Sequence, residues 1–83
     1  MWIRTSDGDY LVVEDKDFSV INKPIDETFS IGAKNPAEAN WFRIAKGFKT
    51  KEEAQKELDY IMKVIDCELK KGDWKIIEIN DAR

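Results

Sequence analysis

Eighty-three residues, 42% hydrophobic and 37% charged, make one small domain with enough large side chains for a core, near the lower size limit for folding without disulfide or metal support. A single cysteine, Cys67, and no histidine rule out an internal disulfide and the usual thiolate–imidazole metal sites, and argue against nucleophilic enzymes that need an imidazole base. The net charge of −3 is uneven: residues 1–27 carry seven acids and three bases, 34–51 five bases and one acid, and 52–83 nine acids and six bases.

The segment 2–5 has strand composition, and Asp7-Gly8 permits the positive backbone angles of a hairpin turn, so 10–14 is expected to return antiparallel beside it. After a polar break at 15–17, residues 18–21 give a third strand bounded by Asn22, Lys23 and Pro24. Residues 28–33 alternate, with Phe29, Ile31 and Ala33 on a buried face and Thr28, Ser30 and Gly32 on a wet one. The stretch 34–40 reads as a loop opened by Asn35-Pro36. A fifth strand over 40–48 is expected to point Phe42 and Ile44 one way and Trp41, Arg43 and Ala45 the other.

Residues 50–72 are the only stretch with sustained helical spacing. Ala54, Leu58, Ile61, Met62, Ile65 and Leu69 form one stripe for packing on a sheet. Thr50 with Glu53 makes a capping-box pattern, acids at 52 and 53 suit the positive end, and Lys70, Lys71 and Gly72 suit the other. Residues 74–79 have the composition of a short last strand at the sheet edge, and 80–83 are expected to fray. The fold class is therefore α+β: an antiparallel meander of five or six strands in one sheet, with one amphipathic helix on one face and no domain division.

Met1-Trp2-Ile3-Arg4 leading to Asp7-Gly8 and Tyr10-Leu11-Val12, with Gly47-Phe48-Lys49-Thr50-Lys51-Glu52-Glu53-Ala54 running into Leu58 and Ile61, resembles a family of small uncharacterised proteins of Firmicutes-type Gram-positive bacteria and their prophages or mobile elements. The resemblance covers residues 1–14 and 47–65. Thr5-Ser6-Asp7 stands where that family often has Ser-Gln-Asp, and 15–46 carries no match to it. It implies an architecture and a mobile-element setting, but no activity, cofactor or catalytic residue.

Three constellations are candidates for function. Asp7, Asp9, Glu14, Asp15 and Asp17 supply the oxygen ligands a divalent cation wants, yet without the spacing of a calcium loop they read as solvated turn residues. Trp41, Arg43, Lys46, Lys49 and Lys51 combine cations for phosphates with an aromatic for base stacking, the ingredients of a nucleic-acid contact. They equally suit an edge strand protected by lysines. Tyr60, Val64 and Cys67 recur at spacings of four and three, a second helix stripe pointing away from the first. It lies under the last strand or forms a contact surface for another chain.

Trp2, Trp41 and Trp74 have the same two readings, core or interface anchor. Cys67 lies between Asp66 and Glu68, a setting that disfavours a thiolate. The four glycines are scattered, so no phosphate-binding loop exists. The leading reading is a non-enzymatic cytoplasmic domain without cofactor or membrane span that binds a protein partner or its own copy, through a sheet edge or the Tyr60, Val64 and Cys67 stripe. The alternative is a nucleic-acid-associated module using 34–51.

Overall fold

The computed structural model describes residues 1–23, 27–72 and 75–82. Its elements in chain order are β1 (Trp2–Arg4), β2 (Tyr10–Val12), β3 (Asp17–Lys23), β4 (Thr28–Lys34), β5 (Phe42–Phe48), α1 (Lys51–Lys71) and β6 (Ile77–Glu78). The class is α+β with mostly antiparallel pairing and one helix packed on a sheet. Pro24, Trp74 and Arg83 lie outside the described residues.

The first hairpin forms as the sequence leads one to expect. Thr5 closes its loop: the Thr5 N–H donates to the Asp9 carbonyl (2.7 Å), and the Asp9 N–H donates to the Thr5 hydroxyl (3.1 Å). Gly8, at φ +91°, takes the left-handed conformation. β1 and β2 then pair with Trp2 opposite Val12 and Arg4 opposite Tyr10.

The meander stops there, and the expectation of one sheet is corrected to two. Asp15 adopts φ +70°, and the Lys16 N–H donates to the Val13 carbonyl at 3.3 Å, so the chain turns away after β2 and β3 starts a separate sheet. The larger sheet has the order β3-β4-β5, all antiparallel. The smaller has the order β2-β1-β6, where β6 returns parallel to β1 after the helix.

Two irregularities in β5 set the shape of the junction. β5 spends an extra residue opposite β4 between Phe48 and Ala45, and another between Ala45 and Arg43. Gly47, at φ +87°, sits in the first of these bulges, where a left-handed residue is required. The second breaks the alternation expected for this strand: Ile44 and Ala45 are both fully buried, so Ala45 does not face away from Ile44. The Ile44 carbonyl also accepts from Ser6 N–H (3.0 Å), which ties the first hairpin to the larger sheet.

α1 follows its sequence signals closely. Thr50 is the N-cap, its hydroxyl accepting from Glu53 N–H at 3.1 Å, and Gly72 closes the helix at φ +71° with its N–H on the Leu69 carbonyl. Ala54, Leu58, Ile61 and Ile65 are buried against the larger sheet. Met62 (41% exposed) and Leu69 (48%) are not. They lie roughly 60–80° round the helix from Ala54, on the flank that the narrow three-stranded sheet does not reach. One core joins Ile31, Ile44, Phe48 and the helix stripe with Ile3 of the smaller sheet and with Met1, Val13 and Ile79 at the ends of its strands.

Two further expectations are corrected. The face of β4 bearing Ser30 and Gly32 is buried, not wet: Trp41 and Ile21 of β3 both close over Gly32. Nor do residues 80–82 fray. The Ala82 N–H donates to the Lys46 carbonyl (2.9 Å), and the Lys46 N–H donates to the Asp81 carboxylate (3.0 Å). The tail completes the hydrogen bonding of the bulged strand that the larger sheet leaves open.

Candidate interaction surfaces

The second helix stripe meets the tail. Beginning from α1, the positions one flank round from the buried stripe are Glu53, Glu57, Tyr60 and Val64, and they face the segment 77–82 across a groove of about 800 Å³ floored by Phe48 and Ile61. Ile77 and Ile79 come from the far wall. Tyr60 is 63% exposed, while Val64 and Ile77 are half-buried. The stripe thus neither disappears beneath the last strand nor stands free of it. Cys67 lies a turn further along α1, exposed and outside the groove.

The groove is acidic at its rim. Glu53, Glu57, Glu78 and Asp81 line it with Lys56 as the one cation among the described residues. Glu78 is shared with Arg4 at 3.5 Å, and Asp81 already accepts from the backbone of Lys46.

The basic strip is less available than its composition suggests. Trp41 is half-buried, and the Lys34 ammonium lies over its ring at 5.3 Å, held there by the Glu38 carbonyl (3.1 Å). Lys46 pairs with Asp7 at 3.7 Å. Arg43 sits opposite Gly32 on the same outer face as Trp41, half-buried. Lys49 and Lys51 are exposed at the entry to α1.

Comparison with protein-family models, curated proteins and solved structures finds no match.

Among the described residues, no group of three acids or cysteines comes together as a metal site. Asp7 is engaged by Lys46, and Glu14 by the N-terminal ammonium of Met1. That hydrogen-bonded ammonium holds the Glu14 carboxyl below the usual glutamate range. No helix among the described residues is long and apolar enough to cross a membrane.

A surface that sequence reasoning missed is the outer face of the smaller sheet. Ile3 points inward and is fully buried, whereas Trp2 (48% exposed), Tyr10 (53%) and Ile76 (53%) remain open. The signal was present in Trp2-Ile3 and Tyr10-Leu11-Val12, where apolar residues occupy consecutive positions of a strand and so fall on both faces.

Proposed function

We propose that this chain is a small non-enzymatic domain that binds a protein segment along the groove between α1 and residues 77–82. The observation that supports it is the exposed Tyr60 beside Val64 and Ile77, with four carboxylates and one lysine around them. An apolar floor under an acidic rim suits a segment that inserts an apolar side chain flanked by Lys or Arg. A cytoplasmic accessory role on a bacterial mobile element is in keeping with the resemblance of residues 1–14 and 47–65. The nucleic-acid reading is weaker, because Trp41 already carries a lysine over its ring and Lys46 is paired.

The test is a titration of isotope-labelled protein with an amphipathic helical peptide of Leu and Lys, and with its Leu and Glu counterpart, followed by amide chemical shifts. Binding should perturb Tyr60, Val64 and residues 77–82 with the Lys peptide only. The double variant Tyr60→Lys, Val64→Lys should give no such shifts while keeping its helical circular dichroism. Shifts scattered over the surface, or equal shifts with the Glu peptide, would sink the groove. Salt-dependent shifts at Arg43, Lys46, Lys49 and Lys51 on adding a single-stranded oligonucleotide would favour the alternative.

A further inference from the structure

We propose that two copies of this chain associate through the outer face of the β2-β1-β6 sheet, a surface that adjoins the groove at Glu78 and otherwise uses other residues. The registers assemble this face from distant parts of the sequence. Val12 lies beside Trp2 and Tyr10 beside Arg4 on one side; on the other, the parallel pairing sets Glu78 beside Arg4 and, one step back, Ile76 beside Trp2. The face therefore has two rows: Val12, Trp2 and Ile76, then Tyr10, Arg4 and Glu78. Trp2, Tyr10 and Ile76 on this face stay exposed.

Charge selects the occupant. The face carries one cation and one anion, Arg4 and Glu78, already paired at 3.5 Å and both partly exposed. It is thus neutral on a chain of net charge −3, so it is where two like-charged copies approach without repulsion. A two-fold interface must be its own complement. Turned about an axis running across the strands, each copy lays Arg4 over the other's Trp2, an arrangement with cation–π character, and Ile76 against the aliphatic stem of Glu78. An acidic or basic partner would gain nothing from a neutral patch, whereas a second copy supplies both members of each contact. The face is six side chains on three short strands and their ends, small beside the roughly 800 Å² per partner of a standard interface, so the dimer dissociates on dilution.

Light scattering after size exclusion and sedimentation equilibrium, run from about 10 µM to about 1 mM in moderate salt, test this. The mean mass should climb from 9.7 kDa toward twice that value with concentration. Trp2→Glu should hold it at the monomer mass, and Tyr60→Lys, in the groove, should leave the climb unchanged. Should Trp2→Glu lose its folded circular dichroism, Ile76→Lys at the exposed end of the same row gives the same reading. A monomer throughout, a dimer that survives both face variants, or a dimer abolished by Tyr60→Lys would each overturn the proposal. The last outcome would move self-association to the groove, whereas failure of the groove's peptide titration leaves this dimer untouched.

Discussion

Individual side chains carry two consequences that can be measured. Glu14 is held in its charged form by the ammonium of Met1. A carboxyl whose folded pKa is depressed contributes stability that is complete above the unfolded value and disappears as pH falls through the folded one. Glu14→Gln should therefore lower the melting temperature at neutral pH, and the difference from the parent should vanish in acid below the usual glutamate range. A gap that persists unchanged at low pH would mean the side chain matters for packing. Gly32 is the second case. A Cβ there would sit 3.1 Å from Ile21 Cδ1 and 3.1 Å from Trp41 Cβ. The tryptophan Cβ is fixed by its own backbone and cannot swing aside. Gly32→Ala should cost about 1–3 kcal/mol in denaturant unfolding, against the small gain that Gly-to-Ala gives in an uncrowded site.

At the scale of elements, α1 depends on its ends as well as its stripe. Thr50→Ala removes the hydroxyl that accepts from Glu53 N–H and should lower stability by about 1 kcal/mol, with Thr50→Ser restoring most of it. Urea unfolding with unchanged m-value is the measurement. The helix was legible in the sequence because its determinants are local: cap, first-turn acids and apolar spacing all lie within 50–72. The partition of the strands was not. It rests on Ile3 meeting Ile77 and on two extra residues in β5, and neither pairing between distant segments nor a bulge leaves a periodic trace. The candidate surfaces divide the same way. Tyr60 and Val64 could be read as a leftover stripe on one helix, whereas the face with Trp2, Tyr10 and Ile76 exists only once two registers are known.

For the molecule as a whole, the seam between the sheets decides what is buried and what is offered to others. Ser6 and Ala82 both hydrogen-bond to β5, at Ile44 and Lys46, so the two ends of the described chain converge on one bulged strand. This convergence makes the inner faces of both sheets one core. Glu78 is the one residue that the two proposed surfaces share.

The parallel pairing of β1 with β6 also has a consequence in time. Its partners are separated by nearly the whole chain, and such contacts form late because a long loop must close first. The helix and the hairpins form from local contacts, but one edge of β1 stays open until residues 77 and 78 pair with it. Until then Ile3, at the centre of the finished core, lacks one of its neighbours. Folding is thus completed by a strand far along the chain from β1, and an intermediate that lacks it carries an unpaired strand edge that other copies can meet.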